Sequence, residues 1–274
     1  MPHPSATLAL VESPSQLLHV LEWRHHHPDA EVRVAILAPR GSFARNQLSA
    51  VKEVAESSGV HVAWLDPRMT DGSPLHDWTQ LRKRTLDAQN LLIGDPFSGL
   101  IQTLLPWRSD PKVIVVDDGT STMDFADLLR EGKPLLRWAE RPTTLARMVR
   151  QPLGARATRF FASRAPGRLQ LFTVLPAEPP PNAQLKQHDY AWTRQQFGAP
   201  RIEGDLTVVG SSLVETGILD RTAYLKAVVA QAAAASGNGF YIAHRREAPE
   251  KLAEIAARTR LTIIEAQMPL EIEL

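Results

Sequence analysis

Lys112-Val-Ile-Val-Val116, followed at once by Asp117-Asp118-Gly119-Thr120-Ser121, is an apolar β-branched run that ends in two acids and a glycine. So short and apolar a run reads as a strand buried on both faces, which is the state of a strand in a parallel sheet covered by helices. Reading outward toward the N-terminus, the pattern returns at residues 90–94, 60–65, 32–37 and 7–11. The segments between, such as 42–58 and 75–88, have helical length and spacing. Five strands alternating with helices predict an α/β fold built on a parallel, doubly wound sheet. Crossovers in such a sheet leave all strand C-termini at one edge, where open α/β sheets bind ligands. Residues directly after the strands are therefore the first candidates for function.

Toward the C-terminus the composition changes. Residues 136–168 carry eight arginines, Arg137, Arg141, Arg147, Arg150, Arg156, Arg159, Arg164 and Arg168, against one acid, Glu140. A solvated helix face is the ordinary account of such a run, and a local patch for an anionic ligand or a membrane surface is the alternative. Pro176-Ala-Glu-Pro-Pro-Pro181 is expected as a linker, because proline lacks the N–H and restricts its predecessor. Past residue 201 the alternation restarts with Leu206-Thr-Val-Val-Gly210, a helix over 221–235, Gly239-Phe-Tyr-Ile-Ala243, a helix over 249–259 and Leu261-Thr-Ile-Ile264. Two α/β units are expected, 1–180 and 200–274, the second short because only three strands precede Leu274.

The chain has 274 residues, 43% hydrophobic and 22% charged, with 15 glycines and 21 prolines. This is a globular composition, far from a disordered one, and long enough for two ordinary domains. Lys plus Arg number 31 and Asp plus Glu 30, so net charge gives no reason to expect a nucleic-acid partner. The absence of cysteine removes disulfides, thiolate metal sites, iron–sulfur clusters and cysteine nucleophiles together. Residues 1–11 lack the pattern of a secretory signal, and no apolar run approaches the roughly 20 residues that span a bilayer. A cytoplasmic protein is expected.

Two clusters carry chemistry. An acid at a strand end, such as Asp117 or Asp118, is a general base when a substrate hydroxyl comes within about 2.6–3.2 Å, and a glycine lets backbone approach the ligand. The competing account is plain turn chemistry, with Asp118 capping the next helix, and spacing alone favours neither. His244-Arg245-Arg246-Glu247 also leaves a strand. Histidine is a donor or acid near neutral pH and arginine a fixed fork for phosphate or carboxylate, a combination suited to an anionic leaving group. The alternative is a solvated loop feeding the next helix, with Glu247 favouring its dipole. Gly210-Ser211-Ser212-Leu-Val-Glu-Thr-Gly217 could offer N–H groups or hydroxyls to a ligand, though it is neither a P-loop nor a dinucleotide fingerprint. His25, His26 and His27 point apart on a helix and lack a completing carboxylate, so no metal is expected there.

Leu10-Val-Glu-Ser-Pro-Ser-Gln-Leu-Leu18, Gly94-Asp-Pro-Phe-Ser98, Val116-Asp-Asp-Gly-Thr120, Val209-Gly-Ser-Ser-Leu-Val-Glu-Thr-Gly-Ile-Leu219 and Tyr241-Ile-Ala-His-Arg-Arg-Glu247 run in order through most of the chain. Together they resemble bacterial sialyltransferases of the lipooligosaccharide sialyltransferase and polysialyltransferase type. The resemblance implies a GT-B architecture, two Rossmann-like doubly wound domains facing a cleft, with the base on the acid-acid-Gly motif and the donor phosphate at the His motif. It gives catalytic roles to Asp117, Asp118 and His244, Asp117 being the expected base as the acid nearer the strand end and Asp118 its alternative. Donor contacts are implied for Gly119, Thr120, Gly210, Ser211, Ser212, Arg245 and Arg246. At the nucleotide ribose the matching acid is Glu271, with Glu247 the weaker candidate. Arg245 stands where many relatives carry proline. Relatives also continue to a Ser/Thr phosphate motif, so the second domain is expected to be incomplete or to finish its site differently.

The implied reaction is inverting transfer of sialic acid from CMP-sialic acid to a hydroxyl of a surface polysaccharide or lipooligosaccharide. One acid takes the acceptor proton, His244 meets the departing CMP phosphate, and Arg246 adds positive charge. No metal and no cofactor beyond the donor substrate are expected, because a monophosphate leaves with less charge than a diphosphate and the chain has no Asp-X-Asp motif. The arginines between 137 and 168 are expected to receive an anionic glycan or glycolipid acceptor, or to hold the enzyme peripherally at the inner membrane. Two rival readings are a glycosyltransferase with another nucleotide-sugar donor and a non-catalytic nucleotide- or glycan-binding protein.

Overall fold

The computed structural model describes residues 7–66, 74–106, 109–137, 144–198, 202, 204–235, 237–244 and 246–273. The chain forms two compact units, Met1–Phe197 and Gly198–Leu274. In the first, seven strands make one parallel sheet: β1 (Thr7–Val11), β2 (Val32–Leu37), β3 (His61–Leu65), β4 (Asn90–Ile93), β5 (Lys112–Val116), β6 (Leu169–Thr173) and β7 (Ala183–Gln187). Their spatial order is β3-β2-β1-β4-β5-β6-β7. The direction of growth reverses between β1 and β4, and this switch point opens the crevice in which doubly wound sheets take ligands.

Strand alternation supplies a core on each face. Leu8, Leu10, Val113, Val115, Leu169 and Leu171 turn to one side, against Ile101 of α4 (Gly99–Leu104), Phe125 of α5 (Ser121–Arg130) and Phe161 of α6 (Thr144–Ala162). Each such buried side chain contributes roughly 1.5–3 kcal/mol. On the other side α1 (Pro14–His25) packs with α2 (Ser42–Ser57) and α7 (Ala191–Phe197). α3 (Pro74–Asp87) carries the chain from β3 at the sheet edge to β4 at the switch point. α1 starts where it does because Ser13 caps it, accepting from Gln16 N–H at 3.2 Å, and Pro14 suits the first turn.

The first unit has two strands more than the sequence pattern predicts, and the expected linker is corrected. Pro176-Ala-Glu-Pro-Pro-Pro181 lies inside the first unit, in the nine residues between Thr173 of β6 and Ala183 of β7, which pair in parallel. Parallel neighbours usually need a dozen or more connecting residues. An extended proline-rich chain rises about 3.1 Å per residue, enough to run back along a five-residue strand without a helix. The first unit accordingly ends at Phe197 rather than near 180.

The second unit holds a three-stranded parallel sheet of order β10-β9-β8, from β8 (Leu206–Val209), β9 (Gly239–Ile242) and β10 (Thr262–Ile264). With it go α8 (Arg221–Ala232), α9 (Pro249–Arg258) and α10 (Leu270–Glu273). Its core gathers Val208, Tyr224, Leu225, Val228, Tyr241, Ile255 and Leu261. Among the described residues no helix is long and apolar enough to cross a membrane.

Candidate functional site

The two acids after β5 have opposite environments. Asp117 is 1% exposed, and donors from two elements meet both of its oxygens. Thr122 of α5 donates to Oδ1 at 2.9 Å, while the Thr173 hydroxyl and Val174 N–H (3.0 Å) donate to Oδ2 from the end of β6. A carboxylate so surrounded ties β5, β6 and α5 together and has no room for a substrate hydroxyl, which corrects the expectation that Asp117 is the base. Asp118 is the accessible one, its side chain 15% exposed. It does not cap α5. The N-cap is Thr120, and the Asp118 N–H donates to the Thr122 hydroxyl at 3.1 Å. Gly119 takes a positive φ of 65° that turns the chain into α5, with open space where a Cβ would lie. Both Gly119 and Thr120 are exposed beside Asp118.

Three residues that were given no catalytic or donor-binding role from the sequence lie against Asp118 or its partner, two of them, Gln16 and Asp95, within the quoted motifs. Gln16 Nε2 donates to Oδ1 at 2.9 Å, and one Arg137 nitrogen lies 3.2 Å from Oδ2. The same nitrogen pairs with Asp95 Oδ2 at 2.7 Å, while Asp95 Oδ1 accepts from Phe97 N–H at 2.9 Å. Asp95 follows β4 as Asp118 follows β5, and Gln16 opens α1 after β1, so three adjacent strand ends converge at the switch point. An acid directly after an apolar strand was the available signal for Asp95. Arg137 was one of eight arginines with nothing to mark it.

Further along α1, at three-residue steps, two more buried polar residues follow Gln16. His19 Nδ1 lies 3.1 Å from His188 Nε2. Tyr190 N–H reaches His188 Nδ1 at 3.4 Å, and the Tyr190 hydroxyl is 3.5 Å from His19 Nε2. A backbone N–H can only donate, so His188 carries its proton on Nε2 and gives it to His19 Nδ1, leaving the His19 proton facing Tyr190. The ring needs both imidazoles neutral. Burial pushes His19 down to about 4, with Asp117 opposing and His188 adding to the shift, and burial lowers His188 as well against the pull of Glu22 and Asp117. Tyr190 holds its place at a φ of 58°, unusual for a side chain of this size. Next, Glu22 accepts from Trp192 N–H (3.1 Å), Thr193 N–H (2.7 Å) and the Thr193 hydroxyl (2.6 Å), fixing the start of α7.

In the second unit the expected residues again follow strand ends: Gly210, Ser211 and Ser212 after β8, His244 and Arg246 after β9, and Glu271 beyond β10 in α10. Arg246 N–H donates to His244 Nδ1 at 3.2 Å, which places the imidazole proton on Nε2. Glu247 is corrected as a ribose contact, because its side chain is fully buried. It accepts from His244 N–H at 2.6 Å and from the Tyr241 hydroxyl, and pairs with Lys251 at 2.8 Å. Lys251, itself 1% exposed, also donates to Ser211 O (2.9 Å) and Glu215 (3.0 Å), and Glu215 accepts from Ala248 N–H at 3.1 Å. The Tyr224 hydroxyl joins Tyr241 at 2.7 Å and accepts from Ser211 N–H at 3.2 Å. This buried network clamps the loop after β8 to the loop after β9. Burial works against the Lys251 charge, but Glu247 and Glu215 outweigh it and hold the ammonium above its ordinary pKa. Gly210 must be glycine: a Cβ would stand 2.2 Å from Glu247 Oε2 and 2.8 Å from Ile242 O.

Four arginines of the arginine-rich segment bond to neighbouring groups of the first unit. Besides Arg137, Arg150 donates to Phe97 O (2.9 Å), Arg156 to Leu105 O (3.1 Å) and Arg164 to Asp110 (2.6 Å). Arg159 and Arg168 are exposed. Arg141, Arg245 and the side chain of Arg147 lie outside the described residues. His27 stacks on Trp23 with ring centroids 4.1 Å apart, and His26 meets Phe172 edge-on. Among the described residues no three His, Cys, Asp or Glu side chains are grouped so as to hold a metal ion. No protein-family model matches the chain, and no curated protein matches it.

Proposed function

We propose that the chain is an inverting glycosyltransferase of the sialyltransferase type, moving sialic acid from CMP-sialic acid to a glycan hydroxyl. The reading takes the two units as the halves of a GT-B enzyme. Asp118 removes the acceptor proton as the hydroxyl attacks the anomeric carbon, and the C–O bond to the phosphate breaks with its electrons passing to CMP. His244 Nε2–H donates to that leaving phosphate, with Arg246 adding positive charge. Asp117 braces the turn that presents Asp118, and Glu247 holds the His244 backbone. The observation that carries the reading is Asp118 itself: a partly exposed carboxylate at the sheet's C-terminal edge beside the switch point, oriented through both oxygens. The acceptor is a bacterial surface polysaccharide or lipooligosaccharide.

Calorimetry with CMP, UDP, GDP and ADP on the chain and on His244→Ala tests the donor side. CMP-selective binding lost in the variant is expected, and tight binding of another nucleotide overturns the donor assignment. On the acceptor side, Asp118→Asn is expected to keep CMP binding and lose transfer. The occupancy of both Asp118 oxygens also favours a second reading, a non-catalytic nucleotide- or glycan-binding protein. That reading predicts binding without turnover, indifferent to Asp118→Asn.

A further inference from the structure

Asp118 is gripped from two sides by residues far away in sequence. Gln16 has one available orientation, since Oε1 accepts from Glu12 N–H at 2.7 Å and Nε2 must therefore face Asp118. The amide reaches the acid only because residue 94 is glycine: a Cβ there would lie 2.4 Å from Gln16 Oε1 and 2.6 Å from its Cδ. On the opposite oxygen, Arg137 is steadied by its shorter bond to Asp95. We infer that Gln16 and Arg137 are positioning residues for Asp118, the first admitted by Gly94 and the second anchored by Asp95, and that together they keep its carboxylate ionised and fixed in one orientation.

The physical ground is that two donors on a carboxylate favour its charged form, and a base must begin charged to take a proton. Among the described residues the charged groups around Asp118 are Arg137, Asp95 after β4 and Asp117 beside it, with Glu12 reaching the cluster through its backbone N–H on Gln16. Arg137 is, among the described residues, a cation paired with two of these acids. The inference rests on reading Asp118 as the proton acceptor, but the grip on the anion can be measured without any donor sugar.

The test is titration of the chain labelled with 13C in the aspartate carboxyls, the Asp118 resonance being identified by its loss in Asp118→Asn. Gln16→Glu sets a second carboxylate against Asp118 and is expected to raise its midpoint by about one pH unit, tenfold in proton affinity. Gln16→Leu and Arg137→Gln each remove a donor and raise the midpoint, and Arg137→Lys restores most of the shift. Gly94→Ala reproduces Gln16→Leu and adds nothing to it. Midpoints unmoved by Gln16→Glu and Arg137→Gln, in chains with unchanged circular dichroism, overturn the inference. If the midpoints move while the wild type transfers no sialic acid, the proposed activity fails and the positioning stands. If transfer occurs, the acidic limb of kcat/KM moves with the same variants.

Discussion

Thr173 at the end of β6 donates its hydroxyl to the Asp117 carboxylate at the end of β5, and the same hydroxyl accepts from Leu175 N–H at 2.9 Å. Two neighbouring strand ends are thus joined through one buried acid. Asp117→Asn would turn an amide N–H₂ toward Thr122, Thr173 or Val174, all of which donate. It is expected to destabilise the first unit by about 2–3 kcal/mol, whereas Asp118→Asn changes stability by less than about 1 kcal/mol. Urea denaturation of both variants decides this, and equal losses would contradict the division of labour between the acids.

The His19–His188–Tyr190 ring makes stability depend on pH in a definite direction. Both histidines sit below their ordinary pKa when folded, His19 at about 4. The ring's contribution is complete above about pH 6.5 and is lost as pH falls from there toward 4, reaching on the order of 3 kcal/mol for His19. Denaturation midpoints between pH 7.5 and 4.5 should fall more steeply in the wild type than in His19→Gln.

Lys251 is a buried cation between Glu247 and Glu215 with its ammonium 4.4 Å from the centre of the Tyr224 ring. Lys251→Met leaves two acids without their cation and is expected to destabilise the second unit by about 3–5 kcal/mol. Removing Glu247 and Lys251 together should cost less than the sum of the single changes, as a double-mutant cycle would reveal.

Gly210 and Gly217 bound the same loop and should respond differently to alanine. At Gly210 the new methyl collides with Glu247 and with the Ile242 carbonyl, so Gly210→Ala displaces the support of His244 at a cost of about 1–3 kcal/mol and weakens CMP binding. At Gly217, φ is 71° and nothing lies within 4 Å of the added carbon. The expected penalty there is about 1–2 kcal/mol of backbone strain, with CMP affinity unchanged by calorimetry.

β1, β4 and β5 were legible because strands covered on both faces are written as apolar runs, and β2 and the half-buried edge strand β3 because one polar residue, Arg33 or His61, leaves their apolar run readable. β6 and β7 were not. Leu169-Gln-Leu-Phe-Thr173 buries a glutamine in mid-strand, and Ala183-Gln-Leu-Lys-Gln187 is a polar edge strand. A proline-rich crossover between them mimics a boundary between domains. The Asp-Asp-Gly motif marked the right edge of the sheet, yet the choice between its acids depended on Thr173 and Val174, more than 50 residues away. Gln16 was hidden for a related reason. A buried glutamine at a helix start has meaning only once Gly94 and Asp118 are seen against it. In the second unit His244 was visible, but the acid three residues on proved to be its support, because Tyr241, Lys251 and Gly210 close over Glu247.

Gln16, His19 and Glu22 lie along one helix, each about 4.5 Å beyond the last, and bind in turn the acid at the switch point, the turn after β7 and the start of α7. α7 is the last element before the chain passes at Gly198 into the second unit. One helix face therefore sets the amide beside Asp118, the imidazole against His188 and the carboxylate at the start of α7 on a single axis, so that a substitution in α1 bears on the switch point and on the last helix of the unit together.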